Sequence, residues 1–241
     1  MIVRAAVCPS PPLLARDLTG RVDVLPEMRE ACARAVSRLL AASPEVVVIT
    51  GAGPATASWD PDGRLDLSRY APALRTHGKP GLPLSLGLGA MLLDMVGHAG
   101  PRRLQAVGEG APASECVQLG ASLAGIAPRV ALLAVGDGSA RRSSAAPGHL
   151  DSRAAAFDAS VERALHDRDM AALVSLDREL ARDLLATGRA AWQVLAGALA
   201  NGDAPDVPRG GATVPVGEIL YADAPFGVGY LVAVLEPERI S

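Results

Sequence analysis

The chain has 241 residues, 49% of them hydrophobic, enough to bury a full core in one large domain or two small ones. A formal charge of −3, with arginines in isolated pairs such as Arg102-Arg103 and Arg141-Arg142, leaves no basic footprint for nucleic acid. Aromatic residues make up only 3%, which argues against a base-stacking platform and predicts a core of Ala, Leu and Val.

Strand and helix patterns alternate from the start. Ile2–Val7 is β-like and ends at Cys8-Pro9, and the N-terminal segment is too short and proline-broken for a signal peptide. Pro26 suits the first position of a helix running to about Ala41, with Met28, Cys32, Val36 and Leu39/Leu40 on one face. Val46–Ile49 is a short continuous apolar run, as in a strand covered on both faces. Residues 51–82 are rich in Pro and Gly and read as a long loop.

Leu84–His98 reads as a buried helix, Leu104–Val107 as a strand, Pro112–Gly125 as a helix and Val130–Val135 as a strand. The most apolar segment, Leu82 to Val96, is broken by glycines and Asp94 and falls short of the ~20 residues a bilayer span needs. Helices dominate after Asp151: Phe157, Val161 and Leu165 recur at i, i+4 and i+8, followed by Met170–Leu176, Arg178–Ala186 and Ala190–Ala200. Gly202 to Pro215 is polar and Gly/Pro-rich and reads as a mobile surface insertion. Two strands close the chain, Val216–Tyr221 and Val228–Leu235. The expected architecture is one three-layer α/β domain over residues 1–241, with a central, mostly parallel sheet and flanking helices. Cys8, Cys32 and Cys116 are odd in number and lack a CxxC pair, as expected of reduced thiols in a cytoplasmic protein.

The stretch from Ala131 to Asp151 is the most informative. A buried strand would deliver Asp137, Ser139, Arg141 and Arg142 to its C-terminal edge, where ligands bind in open α/β sheets. Gly136, Asp137, Ser139, Arg141, Ala146, Pro147, Asp151, Phe157 and Asp158 match a strand-end motif of the form Gly-Asp-Leu-Ser-His-Arg with its Ala-Pro and Phe-Asp continuation. Three further blocks match in order: Val7–Leu14, Pro44–Gly53 and Ile219–Ala233, the last with a Pro-Phe-Gly-Val-Gly-Tyr-Leu-Val-Ala run. Ala191–Leu195 adds a Trp-Gln-Val-Leu helix segment. Together these resemble the LigB/Memo superfamily, which includes the catalytic subunit of class III extradiol ring-cleavage dioxygenases.

That resemblance implies a non-heme Fe(II) site of two histidines and a carboxylate, with a further histidine for proton transfer. The implied metal-histidine positions fall on Ser10 and Ala52, the acid/base histidine on Ala140, and only the carboxylate is matched, by Asp223. A methyl has no lone pair and a neutral hydroxyl is a poor Fe(II) ligand, so the resemblance carries the scaffold without its iron chemistry. Cys8, Ser10, Ala52, Ala140 and Asp223 are expected to line the cleft. Asp137, Ser139, Arg141 and His149 are the candidate catalytic groups.

Each candidate has a plainer reading. Asp137 orders a loop, Ser139 is a structural hydroxyl with no histidine at motif distance, and His149 is an exposed turn residue. Cys8 is a buried inert thiol, and His77, His98 and His166 are loop or helix-end residues. A pairing of Asp223 with Arg141 across the cleft is a further geometric expectation. The leading function is therefore a member with a degenerate iron site that binds an unknown small molecule or protein partner, with no cofactor. It would not bind nucleic acid or membrane, and homo-oligomers are possible. The alternative is a working enzyme. It would be either an Fe(II) oxygenase with displaced ligands such as Cys8, His149 and Asp223, or a metal-free enzyme using Asp137, Arg141 and Asp223.

Overall fold

A computed structural model describes residues 1–74, 81–200 and 217–236. In chain order the elements are β1 (Ile2–Cys8), α1 (Arg16–Thr19), α2 (Pro26–Ala41), β2 (Val46–Gly53), β3 (Ala57–Trp59), β4 (Arg64–Leu65) and β5 (Gly81–Leu82). There follow α3 (Leu84–Met95), β6 (Arg102–Gly108), α4 (Ala113–Ala124), β7 (Val130–Val135) and α5 (Ala154–His166). The chain ends with α6 (Met170–Val174), α7 (Arg178–Asp183), α8 (Arg189–Ala200), β8 (Glu218–Asp223) and β9 (Tyr230–Leu235).

Seven strands form one sheet in the order β3-β6-β2-β7-β1-β9-β8. β6, β2, β7 and β1 run parallel, and β3, β9 and β8 add antiparallel pairs at the flanks. The parallel strands are apolar along their length because both faces are covered. Val7, Val48, Leu132 and Ala134 face α4, α5 and α8. Cys8, Ile49, Leu133 and Val135 face α2 and α3. The result is the expected three-layer α/β arrangement with a largely parallel central sheet.

The connections switch faces within the sheet. The chain leaves β1 and β2 toward the α2/α3 layer, and leaves β6 and β7 toward the opposite layer. β7 is thus flanked on both sides by strands whose connections cross to the other face, the topological switch point at which open α/β sheets bind ligands.

Two expectations are corrected. Residues 51–82 are not a featureless loop: Ala57–Trp59 adds an edge strand to the main sheet, and Arg64–Leu65 pairs with Gly81–Leu82 in a second sheet. The penultimate strand is shifted two residues, covering Glu218–Asp223. His77 and the segment from Gly202 to Pro215 lie outside the described residues. None of the described helices is long and apolar enough to cross a membrane, and Cys8, Cys32 and Cys116 are unpaired by disulfides.

Helices α4 and α8 pack with unusually close backbones, through Gly120 and Gly197. A Cβ on Gly120 would stand 2.0 Å from the Val194 carbonyl oxygen, and one on Gly197 2.4 Å from that of Val117. Gly→Ala in a helix ordinarily gains about 0.5–1 kcal/mol, but forcing two backbones apart in a packed core costs about 1–3 kcal/mol. Gly120→Ala is therefore expected to lower the urea midpoint. A midpoint equal to or above the parent's would show that the helices separate freely and that the contact does not constrain the layer.

Candidate functional site

Every candidate position except His149 belongs to the segments leaving one edge of the sheet. Cys8 pairs with Val135 across β1 and β7, and Gly51 pairs with the same residue from β2. Ser10, Ala52 and Asp137 therefore emerge side by side. β9 runs antiparallel to β1 and β8 antiparallel to β9, so Asp223, opposite Tyr230, also lies at this edge.

Asp137 is the centre of the edge. Its backbone is pinned by the turn before α8: its N–H donates to Thr187 Oγ1 at 3.1 Å and its carbonyl accepts from Gly188 N at 2.8 Å. A Cβ on Gly136 would stand 2.5 Å from Gly188 Cα, and a Cβ on Gly188 would strike the Trp192 ring. The two glycines let strand and helix start approach that closely. The Asp137 carboxylate accepts from the Ser10 backbone N–H at 2.5 Å, with the Ser10 hydroxyl alongside. Burial raises its pKa to about 6, and the Ser10 bonds only partly offset that rise. Tyr230 is buried on β9 close enough to feel the Asp137 charge. Burial first, and that charge second, push its hydroxyl pKa up.

A second carboxylate does structural work. Asp158, on α5, is 5% exposed. It accepts from Ser139 N at 2.7 Å and from Arg142 Nη1 at 3.0 Å. Its carboxylate fills the space where Gly138 and Gly229 lack side chains: Cβ atoms there would stand 2.6 and 2.2 Å from its oxygens. Gly138 N donates to Gly229 O, and Gly229 N to Ser139 O, both at 2.8 Å. One carboxylate thus clasps the β7 exit to the start of β9. Just before it, Phe226 and Gly227 both take left-handed backbone angles, a strained one for Phe226, which is 57% exposed.

The remaining candidates have settled partners. Ser139 Oγ accepts from Arg141 N at 3.1 Å and lies 3.4 Å from the Leu184 carbonyl, so it orders the loop. Arg141 turns its guanidinium onto the Gly148 carbonyl at 2.5 Å. Asp223 is exposed and accepts from its own neighbour, Ala224 N, at 2.7 Å. The expected Arg141–Asp223 pair does not form, because each group is held by nearby backbone. His149 is exposed in a left-handed turn, φ 57°. Cys8 is fully buried against Cys32, and a hydrogen bond between the thiols, reinforced by burial, keeps Cys8 well above the usual thiol range.

These side chains do not fit Fe(II). Ser10 is turned to Asp137, Ala52 and Ala140 offer only methyls, and the Ala52 carbonyl is taken by Ser85 Oγ at 2.7 Å. Among the described residues no three His, Cys, Asp or Glu side chains stand close enough to share a metal ion. Sequence reasoning overlooked Tyr230, Thr187 and Arg189 at this edge. The signal for Arg189 was an arginine heading an otherwise apolar helix, Ala190–Ala200.

No protein-family model matches the chain, and no curated protein matches it. Among solved structures it is similar to the crystal structure of uncharacterized protein JW3007 from Escherichia coli K12. The TM-score is 0.58 at 16% identity, over 97% of this chain and 99% of that one. That likeness is one of fold.

Two predictions follow from the carboxylates. Gly229→Val places a side chain where the Asp158 carboxylate sits and is expected to destabilise by roughly 1–3 kcal/mol. An unchanged denaturation midpoint would show the site is unconstrained. For Asp137, a folded pKa above the unfolded one means its contribution is full below pH ~4 and falls as pH rises through ~6, by roughly 2–3 kcal/mol. Asp137→Asn should flatten the stability profile over that window. Superimposable parent and variant profiles would contradict it.

Proposed function

We propose that the chain is a LigB/Memo-like protein whose edge site binds a small molecule or a protein partner without iron-dependent ring cleavage. The observation that carries this reading is the Ser10–Asp137 bond. At the position implied for the first metal histidine, both the backbone N–H and the hydroxyl serve a neighbouring carboxylate. The four sequence blocks and the α/β architecture support the scaffold, while the methyls at Ala52 and Ala140 remove the atoms its chemistry would require. The exposed Phe226 beside the edge suits a partner or ligand that buries it. Three free cysteines suit a reducing compartment, which we take to be the cytoplasm.

One observation favours a second reading. A carboxyl with a pKa of about 6 is poised for proton transfer near neutral pH, so a metal-free enzyme using Asp137 fits the same edge. Consumption of a metabolite from a cell extract by the parent, but not by Asp137→Asn, would favour that enzyme over binding alone.

The test of the main reading is metal analysis of protein purified anaerobically with added Fe(II). The parent is expected to hold no stoichiometric iron, whereas Ser10→His with Ala52→His, adding two imidazoles to the edge that carries Asp223, is expected to bind Co(II) measurably. Near-stoichiometric iron in the parent would overturn the proposal.

A further inference from the structure

A cavity of about 490 Å³ opens at the same sheet edge, beyond Thr187, between α7 and the first turn of α8. At its base lies Arg189, only 3% exposed. Its Nη1 donates to the Ala111 carbonyl at 3.0 Å and to Gln193 Oε1 at 2.7 Å, and its Nη2 to the Glu109 carbonyl. All three partners are neutral, and among the described residues no carboxylate pairs with Arg189. These bonds engage three of its five N–H groups. A buried guanidinium with no carboxylate in contact is costly; burial lowers its pKa, and Arg178 adds to that while Asp177 acts the other way from a distance.

The walls carry both signs, three arginines against two glutamates, and a suitable surface. Arg178 and Arg182 stand at the rim; both pair with Glu179, and Arg182 also reaches Asp183 at 3.8 Å. Glu109, also in the lining, is exposed and contributes its backbone carbonyl to Arg189. The positive end of the twelve-residue helix α8 faces the space. Leu185, Ala186 and Ala190 supply apolar surface, and the volume suits a small ligand.

We propose that this cavity binds a small organic oxyanion, its carboxylate or phosphate group completing the hydrogen bonding of Arg189 and its carbon body lying on Leu185, Ala186 and Ala190. The proposal does not depend on the fate of the Ser10–Asp137 edge.

The test is thermal stabilisation at low ionic strength with hexanoate, inorganic phosphate and hexylammonium as probes. Hexanoate or phosphate should raise the parent's Tm saturably, and the stronger of the two identifies the headgroup. Hexylammonium should not. Ala186→Trp, which fills the cavity, should abolish the shift, with folding checked by circular dichroism. Arg182→Glu, at an exposed site and checked for folding in the same way, should weaken the effective anion about fivefold. Equal stabilisation by hexylammonium, no saturable response to either anion, or an undiminished anion effect in Arg182→Glu would overturn the proposal.

Discussion

The edge of this protein depends on one buried carboxylate. Asp158 reaches from α5 into the gap left by Gly138 and Gly229 and takes hydrogen bonds from Ser139 N–H and Arg142. Burying a carboxylate is expensive unless its lone pairs are satisfied, and removing one partner of such a pair costs about 3–5 kcal/mol. The clasp therefore holds three separate pieces of chain together: the β7 exit, the start of β9 and the helix that carries the acid. The position of Asp137, one residue before Gly138, follows from it.

Burial raises the pKa of both carboxylates at the edge, but their partners differ. Asp158 is enclosed, ion-paired and structural. Asp137 is bonded by Ser10 and lies near Tyr230 with no cation beside it among the described residues, and burial lifts its pKa to about 6. Neither is free to serve a metal in this arrangement. What the edge offers is a protonatable group at the switch point of the sheet, and beside it a cavity whose buried arginine is held by neutral acceptors.

The long elements were legible because their signals are redundant. Pro26 at a helix start combines with 3.6-residue burial through Met28, Cys32 and Val36, and the helix runs over the expected span. Val130–Val135 could be read as a doubly covered strand from its unbroken apolar run. β3 was not legible: three residues, two of them exposed, between Pro54 and Pro61 carry no period to detect. The site was half legible. The motif placed Asp137, Ser139, Arg141 and Arg142 at one edge, but no spacing rule says that Arg141 bends onto Gly148, that Arg142 pairs with Asp158 or that Asp223 stays with its own backbone. Those outcomes depend on loop geometry that only the fold supplies. Gly138 and Gly229 were visible as glycines, and the carboxylate that requires them lies far away in sequence.

The central claim is that the edge carboxylate is desolvated and engaged by Ser10 rather than presented to a metal. A carboxyl-carbon NMR titration of Asp137, run with and without Co(II), tests it most directly. The account predicts a pKa near 6 and a resonance that Co(II) leaves unbroadened. An ordinary aspartate pKa near 4, or selective broadening by stoichiometric Co(II), would contradict it.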